Sequence, residues 1–218
     1  VAAALTLYTY WRSSAAYRVR IALHLKGLAF DSVPVHLVQG GGEQHAPDYV
    51  ARNPQHLVPT LLHGKATLVQ SLAIIEYLDE VFPDAPLLPT GALARQRARA
   101  LAQLVACDVH PLGNLRVLQY LEHDLGLPSE ARMRWITRWV RDGLAAYEAL
   151  LARDAAGDFS IGDAPGIADC ALIPQLYNAR RFSIDLSPYP RIQRIEAACA
   201  ALPAFVAAAP GQQADAPD

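Results

Sequence analysis

The chain has 218 residues, enough for one large domain or two small ones that each bury a core. With 52% hydrophobic and 18% charged residues its composition is globular rather than disordered, and a formal net charge of -2 leaves no footprint for a polyanion partner. Three widely spaced cysteines (Cys107, Cys170, Cys199) without a Cys-x-x-Cys pair argue against a disulfide framework or a structural zinc site and fit a reducing compartment.

In chain order, the opening Val1–Leu5 is apolar, lacks a basic segment and runs straight into a strand-like stretch, so it does not read as a signal peptide. No apolar run is long enough to span a bilayer, and a soluble intracellular protein is expected. Leu5 to Tyr10 is β-rich, and Tyr17 to Leu25 shows helical spacing through Val19, Ala22, Leu23 and Leu25. Ala29 to Leu37 reads as a second strand, Gly40-Gly41-Gly42 as a loop, and Pro47 to Arg52 as a short helix. Strands near Thr60–Leu62 and Ala66–Val69 flank a turn at His63-Gly64-Lys65, and Ser71 opens a helix that ends by Pro83. This βαβ, connection, ββα order predicts a four-stranded mixed sheet with helices on both faces, since the crossover demands parallel strands and the ββ pair can close as a hairpin. Pro83, Pro86 and Pro89 mark a linker, after which strand signals vanish. Helices are expected over about 92–123, 129–153, 167–181 and 190–201, with a frayed tail beyond Pro210. The alternating Arg95, Arg97 and Arg99 read as a solvated or interface face. Each cysteine sits in an apolar helical stretch, so buried inert thiols are expected for all three. The expected domains are residues 1–84 and 91–210.

Three features of the first domain carry chemistry. The turn Trp11–Arg18 holds Ser13 and Ser14, favoured N-cap types at a helix start, where unpaired N–H groups and the positive dipole end stabilise an anion. Taken alone, it is equally a helix cap. In Asn53–Pro59, Pro59 cannot donate to a strand ladder, so it sits at an edge or serves a special turn. The Val58-Pro59 bond is of the kind that adopts cis at ~0.5–1 kcal/mol. A cis bond would turn the Val58 N–H and C=O towards an extended peptide, whereas a trans bond would leave a plain strand-edge proline. Gln70-Ser71 at the start of the third helix is either an ordinary cap or a carboxylate clasp made by the Ser71 N–H and hydroxyl. His24, His36, His45, His63 and His123 show no ligand spacing, and no metal is expected.

Together these features resemble the glutathione site of thioredoxin-like transferases. The stretch S-S-A-A-Y-R-V-R-I-A-L-H-L-K-G from Ser13 is similar to the zeta-class signature S-S-C-x-W-R-V-R-I-A-L. N-P-Q-H-L-V-P-T-L from Asn53, Q-S-L-A-I-I-E-Y-L-D-E from Gln70 and P-Q-L-Y-N-A-R-R-F-S-I-D-L-S-P-Y-P from Pro174 also resemble that class, which contains the maleylacetoacetate and maleylpyruvate isomerases. The resemblance implies a cytosolic glutathione transferase fold, α/β thioredoxin-like in its first domain and all-α in its second, working as a cytoplasmic homodimer. It implies that Ser13 and Ser14 lie beside the glutathione sulfur, Gln44 and His56 near the glycyl end, Val58 against the cysteinyl backbone, and Gln70 and Ser71 at the γ-glutamyl carboxylate. In the helical domain it implies glutathione contacts from His110, where many zeta enzymes have Gln, and from Asn114. For His110 a satisfied histidine in a domain interface is the competing reading.

Two departures stand out. Ala15 replaces the signature Cys, so no protein thiol can act there, and both this change and His110 resemble the maleylpyruvate isomerase branch. Gly166 replaces the Ser or Thr of the family's capping box in G-D-A-P-G-I-A-D, at an expected cost of a few tenths of a kcal/mol, with Asp169 still serving that helix start. The implied reaction is cis-to-trans isomerisation of an unsaturated keto dicarboxylic acid by addition and elimination of the glutathione thiolate. Arg12, Arg116 and Arg181 stand at positions resembling the arginines of the maleylpyruvate isomerase site, where a planar bidentate group suits the substrate carboxylates, and a surface or structural ion pair is the competing reading for each. His110 and Arg116 are six residues apart, about 120° around an ideal helix, so both face one cavity only if Pro111 bends the helix or Arg116 reaches round. The competing readings are a general transferase that conjugates electrophiles or α-haloacids, and a non-enzymatic binding protein that keeps the fold.

Overall fold

The computed structural model describes residues 4–153 and 157–217, so the first three residues of the apolar opening lie outside the description. The chain divides into two compact units, one formed by the residues up to Leu88 together with those from Ala200 on, the other by Pro89–Cys199.

The first unit runs β1 (Leu5–Thr9), α1 (Ser14–Leu25), β2 (Asp31–Pro34), α2 (Pro47–Val50), β3 (Thr60–His63), β4 (Ala66–Val69) and α3 (Ser71–Val81). Its four-stranded sheet has the order β2-β1-β3-β4, with β1 parallel to β2 and the other neighbours antiparallel. Strand alternation sorts the side chains. Leu7 pairs in register with Leu61 and both are fully buried, whereas Tyr8 faces the other way and meets the Tyr49 ring of α2 at 5.9 Å. β2 is shorter than the expected Ala29–Leu37. The Val35 amide still donates to Thr9 O at 2.7 Å, and beyond it the chain curls so that His36 Nδ1 accepts from the amides of Val38 and Gln39 at 3.3 and 2.8 Å. Helix α1 starts earlier than its apolar spacing suggests because Ser13 caps it.

The second unit is helical and less regular than expected. In place of one helix over 92–123 the chain forms α4 (Ala92–Gln103), a π-helical segment Leu104–Val109, a 3-10 turn His110–Gly113, α5 (Leu115–Gln119) and a second π-helical segment Tyr120–Asp124. Pro111 cannot donate its missing N–H, and Asn114 is extended (φ -67°, ψ 149°) with its side chain accepting from the Arg116 amide at 3.2 Å. The regular helices follow as α6 (Ser129–Arg153), α7 (Ile167–Arg181) and α8 (Pro190–Ala200). α6 buries Ile136, Val140, Leu144, Tyr147 and Leu151, one stripe at helical spacing. Its Gly143 admits the π-helical segment, since a Cβ there would overlap Val109 Cγ2. α7 is buried on nearly every side from Ile167 to Leu176, which makes it the core element of this unit. At its start Asp169 accepts from the amides of Gly166 and Ser160, each at 2.9 Å. Its burial raises the carboxyl pKa, opposed by these bonds.

Two expectations fail here. Cys170 and Cys199 are buried, and burial pushes the Cys199 thiol far up, but Cys107 is exposed because its π-helical segment buries Val105 and Val109 instead. The tail is not frayed. After α8 comes α9 (Pro203–Ala208), which packs on α1, and then a turn at Pro210–Gln212 whose neighbour Gln213 donates to Ala207 and Ala209 O at 3.1 and 2.9 Å.

Candidate active site

Sheet register gathers three segments at one end of the first unit. Tyr8 pairs with Thr60 and Thr60 with Val69, so β1 ends, β3 begins and β4 ends at the same edge. The turn Trp11–Ser14, the Val58-Pro59 pair and Gln70-Ser71 therefore leave adjacent strands side by side, about 4.8 Å per strand.

At the first segment Ser13 is the N-cap, its Oγ accepting from the Ala16 amide at 3.2 Å while its own amide donates to Tyr10 O at 2.9 Å. Among the described residues the amides of Ser14 and Ala15 have no acceptor. Two free N–H groups at a dipole end, with the Ser13 and Ser14 hydroxyls beside them, fit an anion. Arg12 is half-buried with its Cζ 5.2 Å from the Trp11 ring centroid. Behind the turn Arg20 is fully buried, donating to Thr9 Oγ1 (2.9 Å), Tyr10 O (3.3 Å), Trp11 O (2.9 Å) and Ala208 O (3.0 Å). Burial pulls its guanidinium down to about 10, opposed by Tyr17 and then Asp215.

At the second segment Val58-Pro59 is cis, and among the described residues the Val58 N–H and C=O make no hydrogen bond. Tyr49 Oη and Asn53 Nδ2 both donate to Leu57 O at 2.7 Å and set the loop's path. At the third segment Gln70 holds φ 71°, a left-handed conformation that costs a non-glycine residue about 1–3 kcal/mol and collects at functional sites. Its side chain donates to Gln55 Oε1 at 2.8 Å. Buried Arg18 donates through Nη1 to Ser71 Oγ at 3.2 Å, so the Ser71 hydroxyl keeps its proton for an acceptor at the α3 start.

Gln44 is buried, its Nε2 3.2 Å from Leu37 O and 3.1 Å from His45 Nε2, and His45 Nδ1 lies 3.1 Å from His56 Nδ1. A consistent assignment runs the donors from Gln44 through His45 to His56 Nδ1, leaving His56 Nε2–H to donate outward. Gln44 Oε1 is buried without a hydrogen-bond partner among the described residues. Tyr49, Asn53, Gln55, His45, Arg18 and Arg20 escaped the sequence reading. Asn53-Pro54 carried a turn signal that could have found Asn53, whereas nothing local in R-V-R marks Arg18 and Arg20 as buried partners of Ser71 and of the turn.

In the helical unit His110, Asn114 and Arg116 share the broken stretch after α4. His110 opens its 3-10 turn, Asn114 spends its Oδ1 on capping α5, and Arg116 is exposed. The chain turns at Asn114, so the 120° separation of an ideal helix does not apply. Arg181 is exposed at the last position of α7, its Cζ 4.4 Å from the Phe182 ring centroid, while neighbouring Arg180 is paired with Glu196.

Residues 3–80 match the family described as glutathione S-transferase, N-terminal domain, and residues 129–207 match glutathione S-transferase, C-terminal domain. The chain is 50% identical over 211 residues to the maleylpyruvate isomerase of Ralstonia sp., covering 96% of this chain and 98% of that protein. The holo structure of a maleyl pyruvate isomerase, a bacterial zeta-class glutathione S-transferase, superposes with a TM-score of 0.94 at 48% identity, covering 97% of this chain and 100% of that one. A maleylacetoacetate isomerase from Anaeromyxobacter dehalogenans 2CP-1 with glutathione bound in its active site gives a TM-score of 0.88 at 47% identity, covering 99% of each chain. The chain belongs to the glutathione S-transferase family, in the zeta class with the maleylacetoacetate and maleylpyruvate isomerases.

Proposed function

We propose that this protein is a glutathione-dependent cis–trans isomerase of maleylacetoacetate or maleylpyruvate that serves aromatic-compound catabolism. The α1 start carries the reading. Two amides without acceptors and two serine hydroxyls meet at the end of β1, in a chain that resembles named isomerases over nearly its whole length.

When bound, glutathione supplies a sulfur nucleophile that adds to the conjugated double bond, lets the resulting single bond rotate and leaves again. The protein's part is to hold negative charge at that sulfur. Bringing a thiol down two units from ~8.5 takes roughly 2.7 kcal/mol. The α1 dipole end supplies up to ~2 kcal/mol and one hydroxyl bond to a charged group about 1.5–3 kcal/mol, so Ser13, Ser14 and the Ser14 and Ala15 amides suffice. Val58 offers its free N–H and C=O to the cysteinyl backbone. Ser71 and Gln70 hold the γ-glutamyl carboxylate, and Gln44 and His56 serve the glycyl end. His110 and Asn114 add contacts from the helical unit. Arg12, Arg181 and Arg116 take the substrate carboxylates and the enolate charge that forms on addition.

The same resemblance supports a homodimer, which light scattering tests, and a cytoplasmic location, with which three free cysteines agree. The deciding experiment assays the purified protein on maleylpyruvate and maleylacetoacetate with and without glutathione, beside an aryl halide. Isomerisation that requires glutathione and outruns conjugation is expected. Faster conjugation would favour a general transferase, and no glutathione binding in calorimetry would leave a binding protein.

A further inference from the structure

The last residues of the chain contain no large apolar side chain after Val206. Composition alone gives them no reason to be ordered. They nevertheless form consecutive turns, with Gln212, Gln213 and Ala216 amides bonded to Ala209, Pro210 and Gln213 carbonyls. The strap ends on a contact 204 residues away in sequence, where Asp215 Oδ2 accepts from the Trp11 amide at 2.9 Å.

That contact falls on the turn that leads into Ser13. Its backbone polar groups are held by few partners. Arg20 takes the carbonyls of Tyr10 and Trp11, Ser13 N–H closes on Tyr10 O, and Asp215 takes the Trp11 N–H. Arg20 also donates to Ala208 O at the root of the strap, so one buried guanidinium ties turn and strap together while Asp215 closes the loop from the far end. The charge arrangement is complementary, a carboxylate brought to the turn whose carbonyls a buried cation already occupies. A tail fastened only to keep it from fraying would need no charged group on this amide, since α9 already packs on α1.

We infer that Asp215 is a positioning residue for the active-site turn, fixing through the Trp11 amide the path that presents Arg12, Ser13 and Ser14. This rests on the reading of that turn as the sulfur-binding end of the glutathione site. A charge-assisted bond to one amide is among the stronger single hydrogen bonds, and small displacements of a positioned group have large kinetic effects.

The test uses the full chain with Asp215→Ala and Asp215→Asn. Amide exchange at Trp11, Arg12 and Ser13, followed by NMR without glutathione, should quicken about tenfold or more in Asp215→Ala. With glutathione and maleylpyruvate, kcat/KM should fall about tenfold, mostly in kcat, and the bound thiol should ionise at higher pH. Asn keeps an oxygen acceptor without the charge, so Asp215→Asn should recover part of both effects. Unchanged exchange at the turn and an unchanged thiol titration in Asp215→Ala would overturn the inference, as would an Asn variant no better than the Ala one. If the unaltered protein itself failed to ionise the thiol, the glutathione reading would fall, and the amide-exchange comparison would still decide the role of Asp215.

Discussion

In the sheet unit the candidate residues are held by main chain and buried polar partners, whereas those of the helical unit hang from helix ends and a broken stretch. Ser13 and Ser71 sit at helix starts backed by buried Arg20 and Arg18, and Val58 offers only backbone. Arg116 and Arg181 are exposed side chains, and His110 lies in a turn made by Pro111. The contrast teaches a division of labour. The amides at the α1 start are kept through a side-chain change such as Ala15 for Cys, because they belong to the backbone, while the Ser13 and Ser14 hydroxyls beside them are side chains that a substitution removes. A surface made of long exposed side chains can be retuned for another substrate without disturbing the fold.

The largest effect should come from the backbone-held end. Replacing both hydroxyls, Ser13→Ala with Ser14→Ala, should lower kcat/KM for maleylpyruvate about 10²–10³-fold in a glutathione-saturated assay. Losing the cap should also cost about 1 kcal/mol in urea denaturation. Next, Asp169→Ala strips the acceptor from two amides at the α7 start and should destabilise the chain by about 2–4 kcal/mol in the same denaturation experiment, with kcat of the folded fraction kept. Arg12→Ala and Arg181→Ala should each lower dicarboxylate turnover about 10-fold or more while aryl-halide conjugation changes far less. Equal losses on both substrates would erase the proposed division. Gly143→Ala gains helix propensity of about 1 kcal/mol but drives a methyl into Val109, so a net destabilisation of roughly 1–2 kcal/mol is expected by thermal unfolding.

The smallest effect concerns pH. Burial, and then Arg20, lower the pKa of His24, so the unfolded chain binds the proton first as pH falls below 6.5. Stability from this group is full above 6.5 and declines as pH drops through the lower folded value. His24→Gln should flatten that shallow acid slope in denaturation curves measured at a series of pH values.

Much of the molecule was legible because its signals are local. Helices α6 and α7 span the 129–153 and 167–181 that their helix-forming composition marks, and the β3-β4 hairpin follows its His63-Gly64-Lys65 turn. The serine turn, the valine–proline pair and Gln70-Ser71 each carried their own mark in the chain. What stayed hidden depends on partners far away in sequence. The interruption after α4 needs Gly143 opposite Val109 as well as Pro111, and the ordered tail needs Trp11. The exposure of Cys107 follows from the π-helical register, which shifts the buried face onto Val105 and Val109. The left-handed Gln70 is a conformation imposed by its surroundings, which its residue type does not announce.

The most direct test is an ultraviolet titration of the thiolate in bound glutathione, on the unaltered protein and on the Ser13→Ala, Ser14→Ala double variant. The account predicts a midpoint well below the ~8.5 of a free thiol in the first and a return towards it in the second. A midpoint that stays at the free value in the unaltered protein, or one that ignores the loss of both hydroxyls, would contradict it.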